Sequence, residues 1–177
     1  MRVIRTSQLA LEPQLTTHAE EMFAVLSDPA IYEYENAPPS SLQWLQTRFS
    51  KLESRQSHDG REQWLNWVVR LGAGELIGYV QATVRADGAD GADGIYGSAL
   101  IAYEFASAFW GRGLAHEAAA AMVAELVARY QVRSFFAILK RENYRSMRLL
   151  QRLNFSLATP EQHVAYHVDA DEALMNR

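Results

Sequence analysis

The segment ALIAYEFASAFWGRGLAHEA, residues 99–118, joins an apolar, β-rich run to an alanine-rich run through Gly111 and Gly113. Upstream, residues 95–105 have the composition of a buried strand. Downstream, residues 114–130 set Leu114, Ala118, Met122 and Leu126 on one helical stripe, with alanine supplying helix propensity. Two glycines between a strand and a helix let the backbone turn tightly and aim the free N–H groups of the first helical turn at an anion, usually a phosphate. Arg112 between them adds a charge-assisted contact of the kind a phosphate favours. A strand-to-helix turn that needs only small residues is the competing reading of the same segment.

Working outward, residues 132–139 read as a strand and residues 143–153 as a short basic amphipathic helix. Asn143, Arg145, Ser146 and Arg148 follow Lys140 and Arg141, a local concentration of positive charge able to meet a second part of an anionic ligand. The alternative is a solvated basic face paired with acidic neighbours. Before the central segment, residues 64–71 and 75–85 form a hairpin across Gly72-Ala73-Gly74. The Asp-Gly steps of residues 86–94 read as a flexible connection, since no Glu closes a calcium loop at the required spacing. Residues 3–11 read as extended, closed by Pro13. A helix over residues 17–27 follows from a Thr17/Glu20 capping box and from Ala19, Phe23 and Leu26, and Asp28-Pro29 stops it. Ser40 or Ser41 caps a second helix that carries Leu42, Leu45, Phe49 and Leu52 on one face and ends near Arg55. Residues 155–157 and 163–168 are expected as closing strands. Hairpins first, then alternating strands and helices, indicate a mixed α/β or α+β sheet.

The chain has 177 residues, 49% hydrophobic and 21% charged, which suits one domain over residues 1–177. At this length about 70% of the unfolded chain's surface can be buried, so no disulfide or structural metal is required. The absence of cysteine removes thiolate nucleophiles, acyl-cysteine intermediates, redox dithiols and zinc thiolate sites. A net charge of -4 is a poor footprint for neutralising nucleic-acid phosphates. No window approaches the roughly 18 apolar residues of a membrane span, and the N-terminus lacks the apolar core of a signal peptide. A soluble, cytoplasmic protein with neither nucleic-acid nor membrane partners is expected.

Several chemistries fail on particular residues. A dinucleotide fingerprint needs a small residue where His116 stands, and a P-loop needs a Gly-Lys-Ser/Thr end that is missing. His116-Glu117 begins like a zinc-protease helix, but Ala120 occupies the place of the second histidine. His163 and His167, on a strand, would lie about 13 Å apart along one face, too far to share a metal ion. Gly97-Ser98-Ala99 lacks the closing glycine of a nucleophile elbow. No metal site is expected.

The central segment together with NYRSMRLLQRLNF, residues 143–155, resembles the acetyl-CoA-binding core of the GNAT superfamily of N-acetyltransferases. More narrowly it is similar to the ribosomal-protein N-terminal acetyltransferase branch, the RimJ/RimL-like proteins. Phe109 to Gly113, Ala115, Glu117 and Ala118 match that branch's turn and helix. Asn143, Ser146 and Phe155 match its later signature, with Asn154 in place of a glycine. Asparagine is the next best residue where a helix C-cap takes positive φ, so the replacement keeps the physics. The opening RTSQLALEP and the Ser-Asp-Pro stop resemble the same branch. The fold implied is GNAT-like, a central mixed twisted sheet of about six or seven strands flanked by about four helices.

The resemblance also implies roles. Backbone amides of Trp110, Gly111, Arg112, Gly113, Leu114 and Ala115 would hold the CoA pyrophosphate, with Arg112 assisting. Tyr103 to Phe105 would pair with the pantetheine arm, Asn143 would contact that arm, and Arg145 and Arg148 would neighbour the outer phosphates. Ser146 would meet the CoA sulfur as general acid. An amine attacks the thioester directly in a ternary complex, strand N–H groups stabilise the oxyanion, and the thiolate leaves with a proton. Two positions depart from the family: the tyrosine acid seven residues after the Asn is Leu150, and the strand glutamate base is Ala99. The base is left open between Glu104 and a water chain.

The implied activity is N-acetylation of a primary amine, on a protein N-terminus or a small molecule, with acetyl-CoA as cosubstrate, no metal, and a monomer or homodimer. The acceptor would meet the N-terminal helices, the hairpin and the last strands, where Trp44, Trp64, Trp67, Tyr96 and His163 are candidates, each with core packing as the alternative. The acidic balance favours a cationic amine. An aminoglycoside or polyamine acetyltransferase shares every cofactor residue and stays open. So does a non-catalytic CoA-binding or sensing module, favoured by the missing Tyr and Glu. A dinucleotide oxidoreductase rests on the glycine turn alone and fails its fingerprint.

Overall fold

The computed structural model describes residues 1–34, 36–72, 74–86 and 96–177. The elements run β1 (Ile4–Arg5), β2 (Leu9–Pro13), α1 (Ala19–Leu26), α2 (Leu42–Leu52), β3 (Glu62–Leu71), β4 (Leu76–Ala86), β5 (Tyr96–Phe105), α3 (Leu114–Tyr130), β6 (Ser134–Lys140), α4 (Tyr144–Arg152), β7 (Ser156–Leu157), α5 (Pro160–Ala165) and β8 (Glu172–Asn176). Short 3-10 turns, Thr16–His18 and Pro29–Tyr32, flank α1. The described strands form one sheet in the order β1-β2-β3-β4-β5-β6-β8-β7. Every neighbouring pair is antiparallel except β5 and β6, which run parallel with α3 as the connection between them. Antiparallel neighbours can be joined by tight turns, whereas a parallel pair needs a longer crossover.

Strand alternation divides the core into two layers. On β3, Leu65, Trp67 and Val69 join Leu114, Ala118, Met122 and Leu126 of α3 in one apolar cluster. Val68, on the opposite face, joins Ala19, Met22 and Leu26 of α1 and Leu45 and Phe49 of α2 in the second. Trp67 is fully buried, and its indole N–H donates to the Arg2 carbonyl at 3.0 Å, which also satisfies its polar edge. The helix stripes and the hairpin therefore sit as their spacing predicts, and α2 is capped by Ser41, whose hydroxyl accepts from Trp44 N–H.

The expected mixed sheet is present, with eight described strands rather than six or seven and five α-helices rather than four. At the N-terminal end, residues 3–11 do not run as one extended piece: Thr6 turns the chain, its hydroxyl accepting from Leu9 N–H, and β1 folds back on β2. The Thr17/Glu20 box does not start α1, which begins at Ala19 without a side-chain cap; His18 Nδ1 instead accepts from Leu15 N–H. At the C-terminal end, residues 163–168 are not a strand. Thr159, Pro160 and Gln162 form a capping box with proline in the first turn, and this start signal overrides the β-branched composition and makes α5. The closing strand is β8 instead, whose Ala173, Leu174 and Met175 are buried between β6 and β7. His163 lies in α5 and His167 just beyond it, so the two are not spaced along a strand. The Asp-Gly connection falls outside the described residues from 87 onward.

Glu117, in the first turn of α3, fastens that helix to the β1–β2 turn by accepting from Ser7 Oγ at 2.9 Å, Gln8 N–H at 3.0 Å and Gln8 Nε2 at 2.8 Å. Burial pushes its carboxyl up, but hydrogen bonds from Thr6, Gln8 and Ser7 outweigh that and hold it below the usual glutamate range. A depressed carboxylate contributes stability that is complete above the unfolded-state pKa and is lost as pH falls through the folded one. Glu117→Gln is expected to cost about 1 kcal/mol at neutral pH, with the gap to wild type closing below about pH 4. Urea titrations at neutral and acidic pH check it.

Candidate active site

β5 and β6 pair only through Ser98↔Ser134, Ala99↔Phe135 and Leu100↔Phe136. Beyond that point β5 stays paired with β4 as far as Phe105, and β6 stays paired with β8 as far as Lys140. The two strands thus part company, and the β6-facing edge of residues 101–105 has no strand partner among the described residues. An unpaired strand edge is a template for an extended ligand.

A cleft of about 480 Å³ opens at this wedge. Tyr103, Glu104 and Phe105 line it from β5, with Trp110, Gly111, Gly113, Leu114 and Ala115 from the turn and α3 and Asn143, Ser146 and Arg148 from α4. Ala30, Ile31 and Tyr34 close it from the segment after α1. Gly111 and Gly113 have φ of +72° and +79°, and a Cβ on either would meet nothing within 4 Å. Glycine is therefore required at these positions by backbone conformation, since the space around them is open. Gly113 is the N-cap of α3 and offers no side-chain acceptor, so the first N–H groups of a 17-residue helix face the cleft mouth.

Trp110 is fixed by its indole N–H, which donates to the Phe105 carbonyl at 2.7 Å. The Arg145 guanidinium stacks 3.8 Å from the centre of that indole and pairs with Glu33 at 2.9 Å, so it spans the cleft from α4 to the segment after α1. Arg112 is not on the cleft wall; its guanidinium lies 5.5 Å from the centre of the Phe109 ring. Arg148 does line the cleft, together with Arg152, which no sequence motif singles out, and His116, which the sequence raises only in motifs that fail. The spacing of Arg145, Arg148 and Arg152 carried the signal, because it puts three guanidinium groups on one side of α4.

Asn143 caps α4, its Oδ1 accepting from Ser146 N–H at 3.0 Å. Ser146 Oγ lies 2.7 Å from Tyr103 Oη. Burial pushes the Tyr103 phenol up to about 12, against a smaller lowering by Ser146, so it is protonated at neutral pH. Leu150 and Ala99 are each 1% exposed and belong to the apolar core, so neither family position brings a polar group to the cleft.

Glu104 points to the other face of the sheet, where a second cleft of about 570 Å³ lies between α2 and β4–β5. Its walls include Leu26, Tyr32, Trp44, Leu45, Arg48 and Phe49, and its floor Tyr79, Gln81, Ala102 and Glu104. Glu104 lines both clefts. Burial, the Glu104 charge and a hydrogen bond to Glu104 all push the Tyr79 phenol well up, and Arg48 opposes this only partly. Of the aromatic candidates for the acceptor, only Trp44 lines this cleft. Trp67 is core, Trp64 bonds Glu62 through its indole N–H, and His163 Nε2 accepts from Leu174 N–H. Tyr96 begins β5, and its side chain lies outside the described residues.

Among the described residues no group of three His, Asp or Glu is placed to hold a metal, and no helix is long and apolar enough to cross a membrane. A family model described as an acetyltransferase (GNAT) domain matches residues 8–156. A sequence search of curated proteins gives no match. Similar solved structures include the Salmonella typhimurium acetyltransferase that modifies the N-terminal serine of 50S ribosomal protein L7/L12, at 15% identity, covering 99% of this chain and 98% of that one with a TM-score of 0.74. Microcin C7 self-immunity acetyltransferase MccE, in complex with acetyl-CoA and AMP, is 15% identical over 97% and 93% of the two chains, with a TM-score of 0.72. Aminoglycoside acetyltransferase AAC(6')-Ib, in complex with coenzyme A, is 21% identical over 96% and 94%, with a TM-score of 0.71. At such identities these likenesses carry the fold, while the family match spans β2 through β7 with the glycine turn and both cleft helices inside it; the chain belongs to the GNAT acetyltransferase family.

Proposed function

We propose that the protein transfers an acetyl group from acetyl-CoA to a primary amine by direct attack in a ternary complex. The observation that carries this reading is the meeting of two clefts at Glu104, one running past a helix N-terminus and an unpaired strand edge, the other walled by aromatic side chains. The diphosphate of CoA suits the free N–H groups at Gly111–Ala115, with Arg148 and Arg152 adding charge. The pantetheine arm suits the edge of residues 101–105 as an added half-strand.

In the reaction the amine nitrogen adds to the thioester carbonyl and its proton passes to Glu104, directly or through water. Backbone N–H groups on the β5 edge stabilise the oxyanion. The C–S bond then breaks, and Ser146 hands a proton to the departing thiolate while its hydrogen bond to Tyr103, protonated at neutral pH, holds the hydroxyl in place. Chemistry of this kind depends chiefly on positioning, which needs no cysteine and no metal.

Calorimetric titration with acetyl-CoA, CoA and NAD tests the first half of the reading. Acetyl-CoA and CoA are expected to bind in the micromolar range and NAD not to bind; a folded protein indifferent to acetyl-CoA overturns it. For the second half, Ser146→Ala is expected to lower kcat by about a hundredfold, with acetyl-CoA affinity changed by less than about tenfold. Turnover unchanged in that variant would remove Ser146 as the acid.

A further inference from the structure

The second cleft has a charge pattern that neither the family nor the overall composition specifies. Its described charged groups are one guanidinium, Arg48, and one carboxylate, Glu104. The carboxylate lies beside Tyr79, whose phenol its charge helps to push up. Arg48 has no carboxylate partner among the described residues, unlike Arg70, Arg85 and Arg145, which are paired with Glu12, Glu62 and Glu33. Its guanidinium rests over the Trp44 indole, 5.6 Å from the ring centre, and Trp44 is itself 47% exposed at the cleft. At that distance the exposed guanidinium is in cation–π contact with the indole, and its planar fork of N–H donors suits carboxylate or phosphate oxygens in two-point fashion. The remaining walls are mostly apolar: Leu26, Pro38, Pro39, Leu45, Phe49 and Leu52.

We propose that the acceptor is a primary amine with an apolar or aromatic body and one anionic group, a carboxylate or a phosphate, which Arg48 holds beside Trp44 while the amine reaches Glu104. This inference rests on the acetyl-transfer reading and narrows it. A polyamine or aminoglycoside would bring several ammonium groups to a cleft with one carboxylate among its described residues, and would set one of them against Arg48. The acidic balance of the whole chain, which favours a cationic acceptor, is thus opposed by the cleft itself.

The test uses the full-length protein after its affinity for acetyl-CoA has been measured. Release of CoA is followed with phenethylamine, phenylalanine, O-phosphotyramine, spermidine and kanamycin, in wild type, Arg48→Gln and Arg48→Lys. Expected is a kcat/KM for phenylalanine or O-phosphotyramine about tenfold or more above that for phenethylamine, expressed mainly in KM. The comparison between the two anionic amines identifies the carboxylate or the phosphate as the preferred group. Arg48→Gln should bring the ratio near one and Arg48→Lys restore part of it, because lysine keeps the charge and loses the fork. The inference is overturned if phenethylamine, spermidine or kanamycin is the best acceptor, if no amine of the panel is accepted by a protein that binds acetyl-CoA, or if Arg48→Gln leaves the ratio intact. Failure to bind acetyl-CoA at all would instead overturn the acetyl-transfer reading beneath it.

Discussion

Gly113→Trp is expected to weaken acetyl-CoA binding by about a thousandfold, the loss of two or three charge-assisted hydrogen bonds from phosphate oxygens to the N-terminus of α3. Gly113 holds φ at +79° as the N-cap, and the space around its Cβ position is empty. A tryptophan side chain starts into open space there, bears the strain of the left-handed backbone, and is meant to occupy the volume that the diphosphate needs. Gly113→Ala separates the two contributions. Its methyl group meets no atom, so it bears only the strain of a left-handed backbone, about 1 kcal/mol, and should bind acetyl-CoA within about tenfold of wild type once folded. Titration of both variants, with melting temperatures alongside, decides the matter: equal affinities for the tryptophan and alanine forms would mean that the turn carries no phosphate.

Gly78→Ala should be the most damaging single methyl in the described sheet. Gly78 pairs with Phe105 across β4 and β5, and a Cβ there would overlap the Glu104 carbonyl oxygen and stand 2.8 Å from Phe105 Cδ1 and 2.9 Å from Phe105 Cα. Two of those three atoms are backbone of a paired strand, which cannot step aside as a flexible side chain would. The expected cost is about 3 kcal/mol, a fall in Tm of roughly 6–12 °C for a chain of this size. The lesion also reaches the site, because the strand that must shift carries Glu104 and the Phe105 carbonyl that anchors Trp110. Thermal melts and acetyl-CoA titration should therefore report both a lower Tm and a weakened cofactor affinity. A variant that melts with wild type would show that the end of β5 is not held as tightly as its pairing implies.

What could be read in advance followed from how local the signal was. The stripe of α3, the Ser41 cap and the turn that joins β3 to β4 each sit within a dozen or so residues, where periodicity, capping and turn residues act directly. The failures were also local, but ambiguous. VAYHV alternates like a strand, yet Thr159, Pro160 and Gln162 start a helix before it, and a start signal with hydrogen bonds of its own prevails over a β preference that depends on neighbours. The Thr17/Glu20 box lost in the same way to a 3-10 turn closed by His18. At the site, the glycine turn and the Asn143 cap stand out because each meets a backbone requirement. His116 and the second cleft do not, since nothing in their own segments distinguishes a cleft wall from a solvated surface.

From sequence alone the chain determined its mixed sheet, its strand, glycine turn and helix at the mouth of the first cleft, and the absence of thiol chemistry, all set by residue type and short spacing. Only the tertiary structure decided which side chains share a cleft. It set the Arg112 guanidinium near the Phe109 ring and committed Arg145 to Trp110 and Glu33. It joined Tyr103 to Ser146 and stood Glu104 between two clefts, with Arg48 over Trp44 in the second. Those partners are 43 and 112 positions apart in the chain, as in Tyr103–Ser146 and Glu33–Arg145, and no local rule relates them. They meet because β5 parts from β6 after Leu100 and because alternation along a strand sends Tyr103 and Glu104 to opposite faces.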